Sequence, residues 1–124
     1  MTADNVRTTV LVVEDVGLIR MDALDALEDA GFSTLEAANA DEALDILRTR
    51  EDIDVVFTDV NMPGSMDGLG LMKQLAEERP DIGVIVASGK ERPSASSLAP
   101  RTRFFAKPYA FSRIIEAINS LRAA

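Results

Sequence analysis

Two rhythms of hydrophobic and polar positions alternate along this chain. Short apolar, β-branched runs predict strands at Thr8 to Val13, Phe32 to Glu36, Ile53 to Thr58, Ile82 to Ser88 and Arg103 to Ala106. The runs TTVLVV and IGVIVAS are apolar almost throughout, as expected of strands covered on both faces. Between the strands the apolar residues recur at helical spacing. Leu18, Ile19, Ala23, Ala26, Leu27 and Ala30 mark a helix from about Val16 to Ala30, which Gly31 stops. Ala43, Leu44 and Leu47 form the stripe of a second helix, Ala40 to Arg50. It opens with Asn39 and Glu42 in the pattern of a capping box. A third helix, Gly68 to Arg79, begins at an Asp67 cap, turns Leu69, Met72, Leu75 and Ala76 inward and ends at Pro80. The last, Phe111 to Ala123, carries Phe111, Ile114, Ile115, Ile118 and Leu121 on one face.

This alternation predicts an α/β fold of right-handed βαβ units around a parallel sheet. No repeat or linker interrupts it, so the 124 residues are expected to form one domain with its core from about residue 8 to 123. One stretch breaks the rhythm. Gly89 to Thr102 (GKERPSASSLAPRT) stands where a fourth helix belongs, yet it holds Pro93, Pro100 and three serines. Only Ala95, Leu98 and Ala99 offer apolar contact there. The expectation is a short, irregular or mobile helix of about two turns at most.

Composition narrows the chemistry. The chain has no cysteine and no histidine, which excludes disulfides, thiolate and imidazole metal sites, thiol catalysis and His-based triads. A net charge of −8 argues against a sequence-independent grip on nucleic acid. No apolar run reaches the roughly 20 residues that span a bilayer, and Met1 to Thr9 lack the apolar core of a signal peptide. The expected location is the cytoplasm, with no nucleic acid and no membrane as partner. The native-looking Met1 and the short tails favour a free-standing chain over a piece of a longer one.

The candidate chemistry lies at strand ends. Glu14-Asp15, Asp59, Ser88 and Lys107 follow or end the first, third, fourth and fifth strands. Taken alone, Asp59 at the head of the loop Val60-Asn61-Met62-Pro63-Gly64-Ser65-Met66 reads equally well as a turn cap. In a parallel sheet, however, all these ends share one edge, so the four features converge. Three carboxylates brought together repel and need a cation. Lys107 supplies one positive charge, and a hard divalent ion such as Mg²⁺ suits the remaining oxygens.

With these residues the chain resembles a response-regulator receiver domain of two-component signalling. The likeness rests on Glu14-Asp15, Asp59 with Met62-Pro63 and Asp67-Gly68, Ser88, and Lys107-Pro108, and it covers nearly the whole chain. It implies a flavodoxin-like, doubly wound, five-stranded parallel sheet of order 2-1-3-4-5 with helices on both faces. It implies that Asp59 is the phosphoacceptor, taking its phosphoryl group from a phosphohistidine on a sensor histidine kinase or a histidine phosphotransfer protein. Mg²⁺ would be held by Glu14, Asp15, Asp59 and the backbone carbonyl of Asn61. Lys107 would contact the phosphoryl oxygens, Ser88 would hydrogen-bond them, and Phe104 would be the switch aromatic. A cis Lys107–Pro108 bond is implied as well. The chain would be a signalling protein rather than an enzyme, at most catalysing its own phosphorylation and dephosphorylation. It would act as a monomer or weak dimer on a downstream protein target that the sequence does not identify.

Three features depart from the family pattern. The loop from Asp59 to Asp67 is one residue longer, with Gly64-Ser65 in place of a single residue. The switch aromatic is Phe rather than Tyr. The segment 90–102 replaces a full helix beside the surface through which relatives usually meet partners, so an altered output surface that orders on phosphorylation is expected. The competing reading is an interaction module of the same fold that ignores phosphorylation, and the joint presence of Glu14, Asp15, Asp59, Ser88 and Lys107 speaks against it. A metal-dependent phosphatase would want a general acid two residues after Asp59, where Asn61 stands. Ser88-Gly89-Lys90 resembles the end of a P-loop, but Gly83 is one place out and Glu91 replaces the needed Ser or Thr. Gly68-Leu69-Gly70 lacks the third glycine of a dinucleotide fingerprint. The amphipathic last helix has no basic face to favour a membrane over the core.

Overall fold

The structure, a computed structural model, describes residues 7–90 and 92–123. The start of the chain, Met1 to Val6, lies outside the described residues, as does Glu91 of the P-loop comparison. Five strands, β1 (Thr9–Val13), β2 (Ser33–Ala37), β3 (Val55–Asp59), β4 (Gly83–Ser88) and β5 (Thr102–Ala106), form one parallel sheet of order β2-β1-β3-β4-β5. Four helices alternate with them: α1 (Gly17–Asp29), α2 (Ala40–Thr49), α3 (Gly68–Glu78) and α4 (Phe111–Ala123). Each expected strand and helix is present, with ends that differ by one or two residues.

Side-chain alternation along the strands divides the core in two. Leu11, Val13, Val56, Val84 and Val86 face α2 and α3, while Val10, Val12, Phe57, Ile85 and Ala87 face α1 and α4. Strands buried on both faces have no polar side, which is why β1 and β4 read as unbroken apolar runs. The helix ends follow local chemistry. Asn39 Oδ1 accepts from the Glu42 amide at 2.9 Å, and Glu42 Oε1 accepts from the Ala38 amide at 2.9 Å, one residue before the usual capping-box partner. Gly31, at a φ of +99°, takes the left-handed turn that stops α1.

Two helices turn differently from their sequence expectation. In α1 only Ala23 and Leu27 are buried, while Leu18 is 77% and Ile19 42% exposed. Ile19 lines a small cavity with Val12, Val13 and Phe57 at the strand ends, which covers it only in part. In α3 it is Leu71, with Met72 and Leu75, that is fully buried, whereas Leu69 and Ala76 are half-buried. The expected fourth helix is a single 3₁₀ turn, Ala95–Ser97, with Leu98 and Ala99 packed against the α2/α3 side of the core.

The start of α3 is the tightest joint near the sheet's C-terminal edge. The Gly68 amide donates to the Val60 carbonyl at 2.9 Å, and a Cβ at Gly68 would lie 2.2 Å from the Asp59 carbonyl oxygen. Backbone opposes it, so no side-chain rotation relieves the clash. Gly68→Ala is therefore expected to destabilise the fold by about 1–3 kcal/mol. Urea unfolding measures this; a midpoint equal to wild type would show that the α3 joint is not tight.

Candidate functional site

Parallel strands share a direction, and here that brings five side chains to one edge of the sheet. Glu14 and Asp15 follow β1, Asp59 ends β3, Ser88 ends β4 and Lys107 follows β5. Carboxylate oxygens of Glu14, Asp15 and Asp59 lie within 4.8 Å of one another. Glu14 is buried, Asp15 exposed, and the Asp59 side chain is 9% exposed. The Lys107 ammonium lies 2.6 Å from Asp59 Oδ1. That contact is an ion pair outside hydrogen-bond geometry, since the buried Oδ1 accepts no hydrogen bond among the described residues.

The acidic turn after β1 is held from several sides. The Glu14 amide donates to the Ala37 carbonyl at 3.1 Å, and Glu14 Oε2 accepts from the Val16 amide at 3.1 Å. Arg20 of α1 donates from Nη1 to the Glu14 carbonyl and from Nε to Glu36 Oε1, both at 2.8 Å. This clamp ties α1, the end of β1 and the end of β2 together. Burial pushes the Glu14 carboxyl above its ordinary range. The Val16 amide opposes that, while Asp15 and the Asp59 charge add to it. A cluster with one buried acid, one buried oxygen that accepts no hydrogen bond and one exposed acid fits a hard divalent cation.

The β3–α3 loop carries Asn61, which is exposed beside Asp59. Its extra length is accommodated at Gly64, with a φ of +113°. Ser65 Oγ donates to the Asp41 carboxylate at 2.9 Å, which moors the loop to the first turn of α2. Asp67 then caps α3 through the Gly70 amide at 2.9 Å. Thr58 Oγ1 donates to the Asp59 carbonyl at 2.9 Å.

Ser88 is fully buried; its Oγ accepts from the Lys90 amide at 3.1 Å, and its carbonyl accepts from the Lys107 amide at 2.9 Å. Phe104 pairs with Val86 in the ladder and is half-buried against the α2/α3 side of the core. The Lys107–Pro108 bond is cis. All the candidate residues except Phe104 thus converge on one edge, with Phe104 three residues back along β5.

Tyr109 is the residue that sequence reasoning missed. Its ring stands edge-on to Phe57 at 5.7 Å and to Phe111 at 5.5 Å. Burial, and then the charges of Glu14 and Asp59, push its phenol up to about 12. The signal was in view: the chain's one tyrosine stands two residues after Lys107.

The geometry has counterparts among known proteins. A family model of the response regulator receiver domain matches residues 10–119. The chain is 33% identical over 117 residues to the sensor kinase CckA of Brucella abortus, matching 91% of itself and 12% of that kinase. It is 30% identical to the chemotaxis protein CheY of Thermotoga maritima, covering 90% of this chain and 95% of that one. The sporulation initiation phosphotransferase F of Bacillus subtilis is 32% identical, with coverage of 89% and 90%. In structure, a receiver protein of Sinorhizobium medicae superposes with a TM-score of 0.85 at 26% identity, covering 95% and 96% of the two chains. The response regulator TrrA of Thermotoga maritima, solved in complex with Mg²⁺-BeF, superposes with a TM-score of 0.82 at 27% identity, covering 92% and 98%. On this fold, this site and these matches, the chain belongs to the response regulator receiver domain family of two-component signalling.

Proposed function

We propose that this chain is a phosphoacceptor switch in which Asp59 takes a phosphoryl group from a phosphohistidine on a histidine kinase or phosphotransfer protein. The observation that carries the reading is the carboxylate trio within 4.8 Å, with the Asp59 side chain buried against Lys107 at 2.6 Å. A nucleophile needs only a lone pair aimed at phosphorus, and a carboxylate provides it without a base. An Asp59 oxygen forms the new P–O bond while the P–N bond of the donor breaks, and the imidazole leaves with a proton. Phosphoryl transfer depends on positioning and on neutralising the equatorial oxygens. Lys107 supplies one positive charge to those oxygens, and Ser88 supplies a hydroxyl from the end of β4. Glu14, Asp15, Asp59 and the Asn61 carbonyl would hold Mg²⁺, which supplies the rest of that neutralisation when bound.

The donor's path runs past α1. Val16 (46%), Leu18 (77%), Ile19 (42%) and Met21 (57%) are large apolar side chains exposed in the turns nearest Asp15. A histidine-bearing helical partner seated there buries them and reaches Asp59. The phosphoryl group stays on Asp59 as the signal until it is hydrolysed, so the chain acts as a signalling protein and not as an enzyme in the ordinary sense.

Once transferred, the phosphoryl group adds roughly −1.5 to −2 charges. Driving a switch from mostly off to mostly on takes about 5.5 kcal/mol, and two or three charge-assisted contacts from Lys107 and Ser88 supply much of it. Lys90, whose amide is tied to Ser88 Oγ, begins the segment that leads to the 3₁₀ turn. Movement of Ser88 is transmitted there, and Phe104 packs against the same side of the core as Leu98 and Ala99.

Three outcomes test this reading. Incubation with Mg²⁺ and a small phosphodonor should give one phosphoryl adduct by intact mass, absent in Asp59→Asn. No adduct under any condition would instead mark a phosphorylation-independent interaction module. Leu18→Asp should keep that labelling yet slow transfer from a histidine donor at least tenfold. Amide exchange across residues 95–99 should slow when a phosphoryl mimic binds; exchange unchanged by the mimic counts against a switch in this segment.

The lone tyrosine reports on the pocket by titration. Its phenol is raised from 10 to about 12 in the folded chain, so the folded state holds the proton longer. Its contribution to stability is complete below pH 10 and is lost between pH 10 and 12. Ultraviolet titration should show native ionisation near 12, moving down in Asp59→Asn, which removes one of the charges that raise it.

A further inference from the structure

Charge is segregated along this chain. From Met21 to Leu47 it carries eight acids and no Lys or Arg, although the whole has 13 cations and 21 acids. Four of the eight lie in α1, one in β2 and three in α2. These elements meet where β2 forms an outer edge of the sheet, on the opposite side from β5. Of the five residues of β2 only Ala37 is buried. A groove of about 400 Å³ runs over this edge between α1 and α2. Leu24, Leu35 and Ile46 line it and are half-buried, with Glu28, Thr34 and Glu36 beside them. Arg50, the one cation in its lining, is paired with Asp52 at 2.7 Å.

The edge offers polar backbone and two chemically different sides. β2 pairs with β1 alone. The Ser33 amide donates to the Thr8 carbonyl and the Ala37 carbonyl accepts from the Glu14 amide, so Ser33, Leu35 and Ala37 face β1. Thr34 and Glu36 therefore turn their backbone amides and carbonyls outward. Their side chains lie on the α1 side, where Thr34 Oγ1 donates to Glu28 and Glu36 accepts from Arg20. Leu35 and Ile46 pack on the α2 side. A strand added at this edge alternates its own side chains in the same way. One set meets Glu28 and Glu36, and the other meets Leu35 and Ile46. Sheet edges are commonly guarded by charge. Here the guard has one sign, so it repels a second copy of the same edge and favours a basic strand.

We propose that the β2 edge, between α1 and α2, is a docking surface for an extended protein segment in which Lys or Arg alternates with apolar residues. The inference goes beyond the receiver reading and needs no phosphoryl group. Thr34 and Glu36 supply the backbone pairing, Leu35 and Ile46 the apolar contact, and the acids of α1, β2 and α2 the sign. The Glu36 side chain remains 56% exposed beside Arg20, so their ion pair leaves it accessible to a partner. Charges are screened beyond about 8 Å at physiological ionic strength. A segment on this edge therefore feels the local acids and little of the cations elsewhere. Steering by charge raises the encounter rate, while strand pairing and apolar contact determine how long the segment stays.

The test uses full-length protein that has met no phosphodonor. Fluorescent pools of short peptides, with Lys and Arg at alternate positions and varied apolar residues between, are titrated by anisotropy. Matched pools with Asp and Glu at the basic positions serve as rivals. The basic pool should bind, weaken with salt, and lose at least fivefold in affinity to Glu28→Lys. Glu77→Lys, an equal change in net charge at an exposed position of α3, should cost less than twofold. At saturation the Thr34 and Glu36 amides should gain protection from exchange, followed residue by residue by NMR. Protection that misses both would seat the peptide elsewhere, the carboxylate pocket beside Asp59 included, and overturn the proposal. Equal losses from the two variants would reduce the effect to net charge and overturn it too. So would equal or tighter binding of the acidic pool, or no binding by the basic one. A protein dimer in sedimentation that Glu28→Lys dissociates would assign the edge to a second copy, which also overturns it. Because no phosphoryl group takes part, a negative result leaves the phosphoacceptor reading standing, and an unlabelled Asp59 leaves this proposal standing.

Discussion

Glu14, Asp15 and Asp59 bring three carboxylates within 4.8 Å of one another, and their mutual repulsion is the constraint to which the rest of this end of the molecule answers. Such a group separates or takes up protons unless the scaffold holds it and a cation offsets it. The Lys107 ammonium at 2.6 Å from Asp59 is the offset that the chain itself provides. Burial above all, with Asp15 and the Asp59 charge adding to it, still pushes the Glu14 carboxyl up. What remains is a buried demand for positive charge, which is the physical basis of a site for a hard divalent ion and then for a phosphoryl group.

Holding like charges together requires a stiff frame, and the frame consists of joints between elements distant in sequence. Arg20 links α1 to the Glu14 carbonyl and to Glu36 at the end of β2. Gly68 lets α3 begin against the Asp59 carbonyl, so the acceptor's own backbone is part of the α3 joint. Tyr109, wedged between Phe57 and Phe111, links the strand that carries Asp59 to the turn that carries Lys107. These contacts stabilise the fold and fix the site at once.

The other edge of the molecule is built for change. Where the first four strands alternate with full helices, the connection between β4 and β5 has three residues of 3₁₀ turn and few apolar anchors. Few buried contacts mean a low cost of local opening. This weak element starts directly after Ser88, so the stiff site and the compliant segment are neighbours in sequence as well as in space.

Hydrophobic period alone was enough for every strand and helix, for the parallel sheet and for the weakness of 89–102, because local patterning and turn residues specify them. The strand-end positions of Glu14, Asp15, Asp59, Ser88 and Lys107 were equally legible, since a parallel sheet sends all such ends to one edge. Tertiary structure alone decided the rest. Helical spacing identifies an apolar stripe but not which of its residues the neighbouring elements cover, so Leu18 and Ile19 fit a core stripe and are exposed, while Leu71 falls outside the expected stripe and is buried. Tyr109 and Arg20 gained their roles from contacts with residues far away in sequence, which no local pattern encodes.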